Sequence, residues 1–167
     1  MIVQEIIFSK EECDSIINFK KRNYTNWSFR SDRNYISESI TYDTTTHWIF
    51  ERLTLFFEKN TGIKIINLKK EIHYHKYELG NWFSKHNDNR DKRVYSIGVI
   101  LNDNFEGGDF ELYDIKENIK LNKKTGNAYI FKSNIEHEIT KITKGERHSL
   151  IYFLQSENVK MPILKII

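Results

Sequence analysis

The spacing of hydrophobic residues changes once along this chain and divides it into two parts. Between Phe8 and about Lys21, apolar side chains fall at Cys13, Ile16, Ile17 and Phe19, the spacing of a helix with one buried face. Ser9 is expected to cap this helix, Glu12 to close a capping box with it, and Phe8 to staple against Cys13. A second helix is expected to begin at Thr44, Thr45 or Thr46, with His47 at its start. It carries Trp48, Ile49, Leu53, Phe56 and Phe57 on one face and stops near Gly62, a residue suited to a left-handed helix end. Between the helices, residues 24–43 are polar with scattered aromatics (Trp27, Phe29, Tyr35, Tyr42) and keep no steady period. A connection of about 20 residues is long for a compact domain and reads as a functional lid, while packing of its aromatics onto a sheet is the plainer alternative.

From residue 63 the pattern turns to short β-rich runs at 63–68, 71–79, 82–86, 93–101, 109–113, 118–121, 127–131, 138–143 and 147–155. Gly80-Asn81, Gly107-Gly108, Thr125-Gly126 and Lys144-Gly145 punctuate them as turns. Strands in succession without intervening helices make an antiparallel two-sheet sandwich, and helices apolar on one face need a sheet to lie on. The expected fold is mainly β, a jelly roll buttressed by N-terminal helices. One domain is expected over residues 1–167, with a helical front at about 1–62 and a body at about 63–155.

Hydrophobic residues make up 39% of the chain, enough for a core without covalent staples, and the single cysteine, Cys13, excludes an internal disulfide. No apolar run approaches membrane-spanning length, and the segment Met1-Ile2-Val3-Gln4-Glu5 lacks the basic start of a signal peptide. The reading is a soluble, cytoplasmic protein. A net charge of +3, from 26 basic and 23 acidic residues spread evenly, is too mild to argue for nucleic acid or for a membrane surface. The densest basic spot near the chemistry is Arg90, Lys92 and Arg93, which reads as a solvated loop or as a substrate-steering cluster.

That chemistry lies in four residues. His86 and Asp88 stand two apart, His137 follows 51 positions after His86, and Arg147 stands 10 beyond that. Two imidazoles and a carboxylate can hold a non-haem Fe(II) by one face and leave the opposite positions open. Residues i and i+2 of a strand share a side, so His86 and Asp88 are expected to grip one ion only if their stretch is extended. His73 and His75 alternate in the same way and form a rival pair, with no carboxylate at fitting spacing.

The order His-x-Asp, distant His, then a cation resembles the 2-oxoglutarate- and Fe(II)-dependent oxygenases, in particular the prolyl-4-hydroxylase-like branch. Leu101-Asn102-Asp103-Asn104-Phe105-Glu106-Gly107-Gly108-Asp109-Phe110 matches that family's Leu-Asn…Phe-x-Gly-Gly-acidic-apolar segment. Upstream, Tyr77-Glu78-Leu79-Gly80-Asn81-Trp82-Phe83 matches its Tyr-x-x-Gly-x-aromatic-aromatic run. The resemblance spans about residues 70–155 and implies a double-stranded β-helix. It implies Fe(II) on His86, Asp88 and His137, with 2-oxoglutarate and O₂ as co-substrates and ascorbate as an optional accessory. Arg147 would take the distal carboxylate of 2-oxoglutarate, where prolyl hydroxylases often use Lys and relatives use Arg. A guanidinium suits this because its planar fork donates two parallel hydrogen bonds. Ser149 and Tyr77 would touch the same carboxylate, although each also reads as ordinary packing.

The resemblance further implies hydroxylation of an unactivated C–H bond, on a peptidyl residue such as proline. Candidates for substrate or supporting contacts are His73, His75, Asn102, Arg90, Arg93 and Trp27. His148 points away from Arg147 and is expected at the surface or behind the site. The alternatives are an oxygenase of a free amino acid, another small molecule or a nucleobase, a cupin-like metalloenzyme, and a binding module with a vestigial metal site. Arg147 argues against a cupin, which needs no cation there, and the intact set of four argues against a relic, which should have lost at least one of them.

Overall fold

The computed structural model describes residues 2–22 and 33–160. Strand β1 (Val3–Ile6) leads into helix α1 (Lys10–Arg22). Ser9 and Glu12 form the expected reciprocal box, with Glu12 N–H donating to Ser9 Oγ at 3.1 Å and Ser9 N–H to Glu12 Oε2 at 2.8 Å. Strands β2 (Arg33–Asn34) and β3 (Ile36–Thr41) precede helix α2 (His47–Thr61). No threonine side chain caps α2. Asp43 Oδ1 instead accepts the N–H groups of Thr45 and Thr46 at 2.7 and 3.0 Å. Gly62 ends the helix at φ 70°, donating its N–H to Glu58 O.

The remaining strands are β4 (Lys64–Ile65), β5 (Glu71–Tyr77), β6 (Trp82–His86), β7 (Arg93–Ile100), β8 (Glu106–Gly107) and β9 (Phe110–Tyr113). They continue as β10 (Asn118–Lys120), β11 (Asn127–Lys132), β12 (Glu136–Ile139), β13 (Ile142–Lys144), β14 (Arg147–Gln155) and β15 (Val159–Lys160). A major sheet runs β1-β11-β7-β14-β5-β3 and a minor sheet β10-β9-β12-β6-β2, with all pairings antiparallel. This is the mainly β, helix-buttressed jelly roll that the pattern predicts.

The central strands β11, β7 and β14 of the major sheet are buried on both faces, and β14 shows how its sequence serves each. His148, Leu150, Tyr152 and Leu154 lie toward the helices, where Leu150, Tyr152 and Leu154 join Phe50, Leu53 and Phe57 in one core. Arg147, Ser149, Ile151 and Phe153 take the alternate positions and line a pocket between the sheets. The second core fills the rest of that space with Phe105, Phe110, Leu112, Ile139 and Ile142.

Two expectations are corrected here. The run expected at 138–143 is two strands, because β12 pairs with β6 and β9 whereas β13 pairs with β8. Residues 24–43 are not one long connection: β3 pairs along β5 from Ile36↔Lys76 to Thr41↔Glu71, and β2 bridges to β6. Tyr35, buried between these strands, stacks on Tyr77 at 4.8 Å, and Tyr42 meets Phe50 edge-on. Packing therefore accounts for these two aromatics, while Trp27, Phe29 and the remainder of the expected lid lie outside the described residues.

A buried ion pair fixes β3 to the helical layer. Lys20 Nζ of α1 lies 2.8 Å from Glu38 Oε2 and donates to Ser39 O at 3.0 Å, with both side chains almost wholly buried. Glu38→Ala strands the Lys20 charge and should cost about 3–5 kcal/mol in urea denaturation, whereas Lys20→Met with Glu38→Leu should cost far less.

Candidate metal centre and co-substrate pocket

Antiparallel pairing of β12 with β6 sets His137 opposite His86, so residues 51 apart in sequence become cross-strand neighbours with ring centroids 4.3 Å apart. His86 is the last residue of β6. Asp88 lies just past the strand end, in the turn, held by its N–H to Ser133 O at 2.8 Å. Its carboxylate faces both rings, with Oδ1 at 3.7 Å from His86 Nε2 and Oδ2 at 3.5 Å from His137 Nε2. One ligand atom from each residue falls within 4.8 Å of the others, close enough to converge on one ion.

The surroundings orient these atoms. His86 Nδ1 lies 2.7 Å from Ser84 O and His137 Nδ1 2.9 Å from Ile135 O. A carbonyl only accepts, so each Nδ1 carries a proton, which leaves each Nε2, on the side of Asp88, as the nitrogen able to ligate. Ser96 Oγ donates to Asp88 Oδ2 at 2.7 Å, which fixes the carboxylate. Phe83 stacks on His86 at 3.6 Å and Phe110 on His137 at 5.2 Å, with Phe131 edge-on to His137. Asp88 and His137 are buried and His86 is half-buried, so the set opens on one side. Neutral imidazole nitrogens and a carboxylate converging with an open side fit a non-haem Fe(II).

The pocket beside this set is a narrow cleft with a free volume of about 40 Å³. At its far end lies Arg147, 1% exposed, with the Tyr77 ring 5.3 Å from its guanidinium carbon. Nη1 donates to Ser149 Oγ at 2.7 Å, while Nε and Nη2 are buried without a hydrogen-bond partner. A buried cation with idle donors is costly unless an anion completes it. This is the feature that fits a carboxylate-bearing co-substrate.

His75 also lines the pocket, whereas His73 sits further along β5 beside Phe153 at 5.5 Å. Burial holds the His73 imidazole below its ordinary pKa, so it is neutral at pH 7. No second metal cluster forms around them among the described residues. Arg93 stacks on the Phe153 ring at 3.7 Å with its Nε and Nη1 buried and unpartnered, and Arg90 is exposed. Asn102 lies outside the pocket and fastens the approach to Arg147, accepting His148 N–H and donating to Glu146 O, both at 2.7 Å. Of the two places expected for His148, it takes the one behind the site and not the surface. It is buried on the helical side of β14, where the Tyr74 hydroxyl meets its Nδ1 at 2.6 Å. The sequence reading assigned no role to Ser96, Tyr129 and Phe131, which lie there within strand runs, or to Phe83 and Phe110, which stand in the two matched motifs without a stated function.

A jelly roll with two histidines and a carboxylate converging at the edge of its inter-sheet pocket, and a buried arginine at the far end, defines a mononuclear non-haem metal oxygenase. Residues 72–155, half of the chain, match the family model of the 2OG-Fe(II) oxygenase superfamily, and the chain belongs to that family. It is a dioxygenase using Fe(II), 2-oxoglutarate and O₂. Among curated proteins, none matches the chain. Solved structures with the same fold include a Pseudomonas putida prolyl-4-hydroxylase, 18% identical with a TM-score of 0.75 over 92% of each chain. A Trichoplax adhaerens prolyl hydroxylase in complex with a hypoxia inducible factor peptide fragment is 16% identical, with a TM-score of 0.74 over 95% of this chain and 84% of that one. A viral collagen prolyl hydroxylase from Paramecium Bursaria Chlorella virus-1, as its 2OG complex, is 17% identical, with a TM-score of 0.69 over 91% and 94%. Among the described residues no helix is long and apolar enough to cross a membrane.

Proposed function

We propose that His86, Asp88 and His137 hold Fe(II), that Arg147 with Ser149 and Tyr77 receives the distal carboxylate of 2-oxoglutarate, and that the protein hydroxylates a peptidyl residue such as proline. The observation that carries this reading is the pairing of the convergent ligand atoms with a buried guanidinium whose Nε and Nη2 have no partner. Bound there, iron would activate O₂, the oxidant, which takes two electrons from 2-oxoglutarate and two from the substrate, so that 2-oxoglutarate, O₂ and R–H give succinate, CO₂ and R–OH. The protein's own share is to position and exclude. Ser84 and Ile135 carbonyls set the imidazole tautomers, Ser96 steadies Asp88, and Phe83, Phe110 and Phe131 keep water from the ligands. No side chain acts as acid or base.

The peptidyl part rests on the shape of the open side. From His75 in the pocket wall, a part-exposed polar floor runs on through His73, Ser37 and Ser39 on paired strands β5 and β3. Arg93, with two idle donors over Phe153, stands beside it. An extended chain presents the carbonyl oxygens that such donors need. The similar prolyl hydroxylases, one bound to a peptide fragment, favour the same reading. Mass spectrometry of a peptide panel, scored for gain of one oxygen with matched succinate release, tests it. Coupled turnover on a free amino acid or nucleoside, with none on any peptide, would sink the peptidyl reading and leave the oxygenase intact.

A further inference from the structure

Gly98 stands in the middle of β7, where a glycine weakens a strand unless something must approach its backbone closely. Its backbone is not among the positive-φ glycines, so conformation does not require it. Space does. The phenol of Tyr129, from the neighbouring strand β11, lies across it: a Cβ at position 98 would come 2.1 Å from Tyr129 Cζ and 2.3 Å from its hydroxyl oxygen. The register runs Tyr129↔Gly98 and Gly98↔Ile151, so the ring crosses β7 toward β14, the strand that carries Arg147 and Ser149. Phe110 at 4.9 Å and Phe131 at 6.2 Å hold it in place. Tyr129 is 2% exposed and lines the same pocket as Arg147, Ser149 and Tyr77. Burial pushes the phenol's pKa up, and the Arg147 guanidinium, by its charge and by a hydrogen bond to the phenol oxygen, pulls against that push without reversing it, so the hydroxyl keeps its proton and can donate it elsewhere.

We infer that Tyr129 is a further donor to the carboxylate bound at Arg147, and that Gly98 is the residue that lets its hydroxyl reach across the sheet. This rests on the reading of Arg147 as the co-substrate anchor. The hydroxyl would supply one hydrogen bond to a carboxylate oxygen, alongside those from the idle guanidinium donors.

The test is anaerobic calorimetry of the Fe(II)-loaded protein with 2-oxoglutarate, and with pyruvate, which has the 2-oxo acid end but no distal carboxylate. Tyr129→Phe keeps the ring and its packing and removes only the hydroxyl. It should weaken 2-oxoglutarate binding roughly ten- to a hundred-fold, the loss of one hydrogen bond to a charged group, and leave pyruvate and iron binding unchanged. Arg147→Ala serves as the reference. If Arg147→Ala loses affinity and Tyr129→Phe does not, the inference is overturned and the co-substrate reading stands. If Tyr129→Phe weakens both acids alike, its role is packing and the inference is overturned. If neither variant loses affinity, the reading of Arg147 itself fails. Should Tyr129→Phe not fold, 3-fluorotyrosine placed at 129 keeps the hydroxyl. Its fluorine resonance in the Zn(II)-loaded protein should move on adding 2-oxoglutarate and not on adding pyruvate, and no movement would overturn the inference.

Discussion

Asp88→Ala will abolish iron binding and, with it, all 2-oxoglutarate turnover. Asp88 is the only anionic member of the proposed ligand set, buried at 5% exposure with its two oxygens turned toward two imidazole nitrogens at 3.7 and 3.5 Å. Removing even an outer partner of a metal ligand costs about 10- to 100-fold in affinity, so loss of the ligand should exceed about 100-fold. The visible charge-transfer band expected of an Fe(II)–2-oxoglutarate complex should vanish in Asp88→Ala and in His86→Ala. Asp88→Asn separates chemistry from packing: it preserves shape and can still accept from Ser96 Oγ, now 2.7 Å from Oδ2, but loses the charge that balances the ion. Its thermal stability without metal should stay near that of the parent while iron affinity falls. A band of undiminished intensity in both alanine variants would show the ligand set to be wrong.

How much of this was legible in sequence differs from element to element. The run at 147–155 could be read because β14 is long and its alternate residues serve opposite layers, with Arg147 and Ser149 on one side and Leu150, Tyr152 and Leu154 on the other. The helix start at Ser9 is a local affair of four residues and held in detail. Strand β3 escaped notice because Glu38 occupies a buried position between Ile36 and Ile40, which breaks the apolar alternation, and the lysine that neutralises it comes from α1, 18 residues earlier. His86, Asp88, His137 and Arg147 were legible as types in an order, yet their convergence depends on the pairing of β12 with β6 and on a turn that swings Asp88 back. The groups that orient them are backbone carbonyls and cross-strand aromatics. Carbonyls carry no sequence signal; Phe131 looks like any core phenylalanine until the sheets are paired, and Phe83 and Phe110, although part of matched motifs, show what they pack against only then. Gly98 reads as an ordinary defect in a strand until Tyr129 is seen lying over it.

Arg147→Ala is expected to cost two to three orders of magnitude in 2-oxoglutarate affinity, the equivalent of roughly 3–5 kcal/mol for losing one partner of a buried charge pair. Iron affinity should hardly change, because the guanidinium belongs to the far end of the pocket and touches none of the three ligands in the described contacts. The same residue should act in the opposite sense on stability. With Nε and Nη2 buried and unpartnered, Arg147 burdens the fold whenever no carboxylate is bound, and each unsatisfied buried donor costs about 1–3 kcal/mol. Arg147→Met, close in length and apolar, should therefore raise the melting temperature of the ligand-free protein by a few degrees, since about 1 kcal/mol shifts a domain of this size by roughly 2–4 °C. It should also erase the further rise that 2-oxoglutarate gives the parent. Differential scanning calorimetry with and without 2-oxoglutarate, under anaerobic conditions, measures both effects. A variant that is both less stable when empty and still stabilised by 2-oxoglutarate would mean that Arg147 is a structural cation and that the co-substrate carboxylate binds elsewhere.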